Sequence, residues 1–194
     1  MDIIWHGKTC FTVKGKKNTV VINPVEEAGK LKGEIVLSST KNIANVDGAK
    51  KVIDWPGEFE VSEVPVVGFQ AWTASKDSEQ AEETLIYFFK VDDVKFCHLG
   101  ELGHTLTSEM VSKIGDVDVL MIKAGPSANL DAKKGLEVVE AIEPRAVIPM
   151  GEVEKDNFLK ELGESELEPK DKFTLNSQAD LPTEKRIHVL LKKI

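Results

Sequence analysis

A carboxylate and an imidazole stand three residues apart in this chain, at Glu101 and His104. Gly100 and Gly103 adjoin them, which is typical of a loop rather than of a helix or strand. A carboxylate that accepts a hydrogen bond from an imidazole orients the ring and raises its basicity, and both acid–base catalysis and metal binding use this arrangement. For His104 a purely structural role, as a hydrogen-bonded loop residue, is the open alternative.

The remaining reactive side chains stand in contexts that favour structural roles. His6 and His98 lie in strand-like runs, so we expect hydrogen-bonded strand residues rather than metal ligands. The hydroxyl run at 38–40 is not surrounded by the Gly-x-Ser-x-Gly turn that exposes a nucleophilic serine. The glycines form neither a P-loop nor a Gly-x-Gly-x-x-Gly motif. No cofactor is therefore predicted.

Composition limits the classes of partner. The chain has 194 residues, of which 41% are hydrophobic and 30% charged, and its formal net charge is −8. This length predicts a single domain over residues 1–194. The acidic balance argues against nucleic acid, which is itself a polyanion. No apolar run approaches the roughly 18 residues of a membrane span, and the N-terminus lacks a signal-peptide pattern, so we expect no membrane partner and a cytoplasmic location.

Cys10 and Cys97 are expected to be reduced, buried thiols.

The first half of the chain is rich in short apolar runs separated by Gly, Asn and Pro, which predicts strands. These runs cover residues 3–5, 10–13, 19–22, 35–37, 52–53, 59–61, 65–71, 84–89 and 94–97. In the second half, strands alternate with helices. Strands are predicted at 117–122, 146–148 and 187–191, and helices at 107–114, 131–142 and 156–162. Strands followed by alternating helices and strands indicate an α/β layered domain.

Six short stretches, in this order along the chain, carry a family resemblance: WHGKTCF at 5–11, VINP at 21–24, WPGEFEV at 55–61, CHLGELGHTL at 97–106, VDVLMIKAG at 117–125 and PRAVIPM at 144–150. Together they resemble the metallo-β-lactamase superfamily, and within it the small Zn-dependent-hydrolase-like branch. The resemblance implies an α/β fold, an αβ/βα four-layer sandwich in which two sheets pack face to face with helices outside.

The resemblance also implies a metal site made of imidazoles and carboxylates, from which this chain departs. The family carries His-x-His-x-Asp-His in the loop that corresponds to 38–45, and here that loop holds neither His nor Asp. The next His is expected within 70–80, which contains none. Gly151 stands where the last His is expected, and Glu101 stands where the family has a bridging Asp. Because one carboxylate cannot complete a three- or four-ligand site, no metal is predicted.

The same correspondence predicts that residues far apart in sequence meet in one vestigial cleft: Ser39, Lys41, Glu101, His104 and Gly151. The Lys41 ammonium is expected to offset the charge of Glu101, as the metal ions of the family would. Two accessory positions have also changed, with Lys8 in place of an early His and Asn23 in place of an Asp. Catalytic residues are not assigned.

Three functions remain open at this point. The first is a metal-free, non-catalytic binding or scaffold protein, a pseudoenzyme of the superfamily that takes a small-molecule ligand. The second is an active hydrolase with a relocated or metal-independent site around Glu101 and His104. The third is a homodimeric interaction module, which would make the protein a homo-oligomer. A fold does not choose among them.

Overall fold

Two β-sheets packed face to face organise the chain. The computed structural model describes residues 1–41, 43–126, 128–151, 155–164 and 166–194. The strands are β1 Asp2–Trp5, β2 Phe11–Lys14, β3 Thr19–Ile22, β4 Leu31–Lys32, β5 Ile35–Leu37, β6 Val46–Asp47, β7 Lys51–Ile53, β8 Gly57–Val61, β9 Val64–Trp72, β10 Glu83–Val91, β11 Val94–His98, β12 Val119–Ile122, β13 Ala146–Pro149, β14 Phe173–Thr174 and β15 Ile187–His188. The α-helices are α1 Ser108–Ile114, α2 Ala132–Ile142 and α3 Lys155–Glu161.

The first sheet has the order β14-β1-β2-β3-β5-β7 and the second the order β15-β13-β12-β11-β10-β9-β8. Each sheet is mixed. The strands β3, β5 and β7 run parallel in the first, and β11, β12, β13 and β15 run parallel in the second. Strands β7 and β8 lie at the ends of their sheets, and only residues 54–56 separate them in the chain.

The main hydrophobic core fills the space between the two sheets. Trp5 and Phe11 from the first sheet meet Tyr87, Phe89 and Phe96 from the second, all of them almost fully buried. A second core lies between the outer face of the second sheet and the α-helices, and includes Phe158 of α3. These layers confirm the predicted fold class.

The outer layer of the first sheet is thinner. Its apolar side chains Val21 and Val36 are covered by Leu31 and Val46, which belong to the two-stranded sheet β4-β6. Such two-residue strands have no measurable periodicity, so β4, β6 and β14 were not predicted. In the described residues no helix is long and apolar enough to cross a membrane.

The local signals in the sequence operate as expected. The side chain of Thr107 accepts from Met110 N and caps α1, and that of Asp131 accepts from Lys134 N and caps α2. Such caps satisfy backbone N–H groups that have no partner within the helix. The β10–β11 hairpin turns at Asp92 and Asp93, both with positive φ, as a tight hairpin turn requires.

Candidate functional site

The carboxyl ends of β5 and β11 border a cavity of about 550 Å³. The loop after β5 contributes Ser39, Thr40 and Lys41 to its walls. Glu83 and Thr84 of β10 and Glu101 after β11 line it as well, with Thr73 and Glu82. Loops that follow parallel strands often form such clefts.

A smaller cavity of about 230 Å³ adjoins the first and shares five of its lining residues, from Ser39 to Thr84. It continues along the loop after β7, where Asp54, Trp55 and Pro56 line it, and it includes Gln70 of β9. We call the two connected cavities the site groove. Glu101 lines only the larger cavity and Trp55 only the smaller one.

Three of the five predicted cleft residues line the site groove. Ser39, Lys41 and Glu101 line the site groove, whereas His104 and Gly151 are not among its lining residues. Gly151 lies two residues after the end of β13 and is buried, with a φ of 99°. A left-handed backbone of this kind favours glycine, which accounts for the residue type at this position.

Asn23 fixes Ser39 in the groove wall. Its side-chain Oδ1 accepts a hydrogen bond from Ser39 N at 2.7 Å, and its Nδ2 donates to Ser39 Oγ at 2.8 Å and to Thr9 Oγ1 at 3.0 Å. Only an amide supplies an acceptor and two donors here. Because Ser39 Oγ accepts a hydrogen bond from Asn23 Nδ2, its own hydroxyl hydrogen is available to a bound molecule.

Two residues of β10 hold the loop after β5 in place through side-chain hydrogen bonds to its backbone. The Tyr87 hydroxyl lies 2.8 Å from Ser38 O and 2.7 Å from Ile53 O, so it ties that loop to the end of β7. Thr84 Oγ1 donates to Ser39 O at 3.4 Å and accepts from Glu101 N at 3.2 Å. Burial raises the pKa of Tyr87, which keeps the phenol protonated as a donor.

Gly100 allows the loop after β11 to approach the loop after β5. Its φ is 57°, and a Cβ at this position would lie 2.5 Å from Leu85 O and 2.9 Å from Ser39 Oγ. Contacts this short do not occur for real Cβ atoms, so any larger residue at position 100 would clash with the neighbouring loop. The two loops consequently meet closely enough to share one groove.

Lys123, and not the predicted Lys41, forms the ion pair with Glu101. Lys123 Nζ lies 3.0 Å from Glu101 Oε2, and the two side chains are only 21% and 23% exposed. Lys123 follows the fully buried strand β12, and Asn129 Nδ2 donates to Glu101 O at 3.0 Å. A charged residue directly after an apolar strand was the signal in the sequence that could have identified Lys123.

The expected Glu101–His104 hydrogen bond is replaced by other partners. His104 Nδ1 lies 2.8 Å from Thr105 O, and its Nε2 accepts from Trp72 N at 3.4 Å. Both nitrogens are thus engaged with backbone groups, which supports the structural alternative for His104. The imidazole bonds to the last residue of β9 and does not line the groove.

His98 is the most deeply buried imidazole near the groove. Its Nε2 donates to Thr9 O at 3.0 Å and its Nδ1 accepts from Gly100 N at 3.1 Å. Burial disfavours the charged ring and lowers the pKa of His98 to about 4. The sequence-based interpretation of a hydrogen-bonded strand histidine is therefore confirmed.

The described side chains of the groove do not form a cluster of metal ligands. No group of three or more His, Cys, Asp or Glu side chains able to hold one occurs in the described parts of the chain. The single carboxylate at the expected position, Glu101, is paired with Lys123. A dication at that oxygen would have to displace the ammonium or lie beside it, which Coulomb repulsion opposes.

Comparison with known proteins identifies related chains. The family model described as a beta-lactamase superfamily domain matches residues 2–151. A UPF0173 protein from Pyrococcus furiosus is 26% identical, over 84% of this chain and 90% of its own length. A protein from Thermoplasma acidophilum named UPF0173 metal-dependent hydrolase is 23% identical, over 77% and 82%.

A solved structure shares the whole architecture. It comes from a Thermotoga maritima protein assigned to the Zn-dependent hydrolases of the metallo-beta-lactamase superfamily, and its TM-score with this chain is 0.78. The two sequences are 26% identical, and the match covers 98% of each chain. The metal requirement in these descriptions belongs to those proteins.

Proposed function

This chain belongs to the beta-lactamase superfamily, and from that membership we propose that it is a metal-free, non-catalytic member that binds a small polar molecule in the site groove. Its relatives include proteins named metal-dependent hydrolases. In our proposal this chain shares their fold but binds a ligand instead of hydrolysing a substrate.

The ion pair between Glu101 and Lys123 carries the proposal. A carboxylate that serves a metal must be free to bind it, whereas this one already has a cation 3.0 Å from its Oε2. Both side chains are more than three quarters buried, so removing either would leave a poorly solvated charge. The pair therefore supports a site that is complete without metal.

The hydrogen-bond network around Ser39 supports the same conclusion. The loop after β5 offers hydroxyl groups to the groove. Asn23 holds Ser39 by two hydrogen bonds, one to its hydroxyl and one from its backbone N–H, and is itself anchored by a third to Thr9. Hydroxyls fixed in this way orient a ligand, but they do not activate water at neutral pH as a metal would. A cavity of about 550 Å³ has the size of a small-molecule site.

Two measurements on the purified full-length chain test the proposal. Thermal unfolding with increasing Zn²⁺ should show no saturable rise in Tm, because a ligand stabilises only a protein that binds it. A Tm screen of small polar molecules should give saturable rises that a bulky side chain in the groove wall, in Thr40→Trp, abolishes. Thr183→Trp, at an exposed loop position outside the groove lining, is the matched control.

A Zn²⁺-dependent rise in Tm that Glu101→Ala removes would contradict the metal-free part of the proposal. Hydrolysis of a substrate panel by the metal-depleted protein, lost in Thr40→Trp, would contradict the non-catalytic part. Ligand-induced rises that are equal in Thr40→Trp and Thr183→Trp would place binding outside the groove.

A further inference from the structure

The charges along the site groove are not balanced within the protein. Glu101 has Lys123, but Lys41, Glu82 and Glu83 take part in no ion pair of the described residues. All three line the larger cavity. One ammonium and two carboxylates thus face the same space, each without an opposite charge from the described protein.

Glu83 is the better placed of the two carboxylates to meet a ligand. Gln70 Nε2 donates to Glu83 Oε1 at 2.7 Å, which orients the carboxylate without neutralising it. Glu83 on β10 and Gln70 on β9 are diagonal neighbours, since Glu83 pairs with Trp72 and Gln70 with Leu85, and both line the smaller cavity. A positively charged group bound here would gain a charge-assisted hydrogen bond to an oriented acceptor.

The loop after β5 supplies donors that could bind the negatively charged group of a ligand. The Lys41 ammonium carries the positive charge, and the Ser39 hydroxyl hydrogen, two residues earlier, has no acceptor among the described residues. Ser39 is 6% exposed, so its hydroxyl position is set by the protein and not by solvent. An ammonium and a hydroxyl close together in sequence are suitable donors for a carboxylate.

The loop after β7 adds an aromatic ring to the groove, beside the Asp54 carboxylate. Trp55 is 46% exposed and lines the smaller cavity together with Pro56. Phe59 packs edge-on against the Trp55 ring at 5.7 Å between centroids, which restrains the indole. A restrained, half-exposed aromatic ring offers an apolar surface to a ligand at little entropic cost.

We propose that the ligand of the site groove is a small zwitterion of amino-acid or dipeptide size. Its ammonium lies against Glu83, its carboxylate against Lys41 and Ser39, and an apolar side chain against Trp55. This inference rests on the proposed function, since it names the ligand class of the same groove.

Calorimetric titration of the full-length chain with the dipeptide Gly-Phe, its N-acetyl form and its C-terminal amide tests the inference. The free dipeptide should bind, and each blocked form should bind about five- to tenfold more weakly, since one partly exposed charge contact is worth about 1 kcal/mol. Glu83→Gln should remove the preference for the free amine, and Lys41→Met the preference for the free carboxylate. Lys90→Met, on the exposed β10–β11 hairpin, should change neither.

Equal binding of the free and blocked forms, or no binding of any of them, overturns the zwitterion assignment. If other molecules still raise the Tm in a manner that Thr40→Trp abolishes, the proposed binding function stands and only the ligand class fails. If no molecule does so, both fail. A loss of preference in Lys90→Met as large as in Lys41→Met would also overturn the assignment, because the effect would then reflect overall charge.

Discussion

The side chain of Asn23 binds Ser39 at two points, its backbone N–H at 2.7 Å and its hydroxyl at 2.8 Å. Asn23 is almost fully buried. In Asn23→Asp the carboxylate would lose the two amide donors and place an ionised group in a buried site. We expect the free energy of unfolding to fall by about 2–3 kcal/mol at pH 7.

The loss in Asn23→Asp should shrink at lower pH. Burial without a cation raises the pKa of a carboxyl above its unfolded value, so the native state binds the extra proton and the penalty grows as pH rises through that range. Urea unfolding at pH 5 and pH 7 measures this. Asn45→Asp, at an exposed position, is the control and should be nearly neutral. An equal loss at both pH values would contradict the buried-charge explanation.

Lys123→Met should destabilise the protein by about 1–3 kcal/mol, because it leaves the Glu101 carboxylate partly buried and unpaired. The double variant Lys123→Met/Glu101→Gln should recover part of this loss. A double-mutant cycle from denaturant unfolding gives the coupling energy. The exposed pair Lys113–Glu109 on α1, 2.7 Å apart, is the matched control and should show a markedly smaller coupling. Similar coupling in both pairs would show that burial does not strengthen the Glu101 pair.

Stability should fall as pH decreases from about 6.5 to 4 because of His98. Burial lowers the pKa of His98 to about 4 in the folded protein, whereas the unfolded chain takes up the proton near the ordinary histidine pKa of 6.5. The unfolded state therefore gains protons first, and about 3 kcal/mol is lost across this window. Burial also lowers the pKa of His6, which acts in the same direction. His98→Asn should start less stable at pH 7 and show a flatter pH profile; an unchanged slope would rule out His98 as the cause.

Tyr87→Phe should cost about 1–2 kcal/mol of stability, because Ser38 O and Ile53 O lose their shared buried donor. Tyr87 holds the loop that carries Ser39 and Lys41, so ligand binding in the groove should weaken as well. Denaturant unfolding and the calorimetric titration described above measure the two effects. Phe89→Leu, a substitution in the same strand and the same core, separates a loop effect from general destabilisation. If both variants weaken binding equally, the loop has no special dependence on the hydroxyl.

Both thiols should react slowly with a thiol reagent in the native protein and fully after denaturation. Cys10 and Cys97 are free and buried, as predicted. Burial raises the pKa of Cys10 to about 11 and also raises that of Cys97, so neither forms much of the reactive thiolate near neutral pH. Ser112→Cys, exposed on α1, provides a fast-reacting internal reference. Rapid labelling of three thiols in that variant would contradict the burial of the native pair.

Patterns confined to neighbouring residues predicted most of the fold. The apolar runs located the long strands, and the caps at Thr107 and Asp131 located two helix starts, because these signals act within a few residues. The order of strands and helices indicated a layered α/β domain, and the six family-like stretches added the arrangement of two sheets packed face to face with helices outside.

The groove was harder to predict because its contacts join distant residues. Glu101 and Lys123 are separated by 22 positions, and Asn23 and Ser39 by 16. The spacing of Glu101 and His104 suggested a mutual hydrogen bond. Gly100, with its φ of 57°, directs the chain so that Glu101 meets Lys123, while the imidazole meets the backbone of Trp72. Lys41 and Glu101 line the same cavity, yet the cation that pairs with Glu101 is Lys123, which comes from another strand end.

The position of β8 at the end of its sheet bears on how the protein behaves at high concentration. An edge strand offers unpaired N–H and C=O groups to other copies, which is a common route to aggregation. Glu58 and Glu60 are exposed on this strand, on either side of its central residue Phe59. If two copies joined antiparallel through β8, Glu58 of each would stand opposite Glu60 of the other. Like charges at directly opposed positions are unfavourable. The exposed edge at β8 therefore resists pairing with the same edge of a second copy.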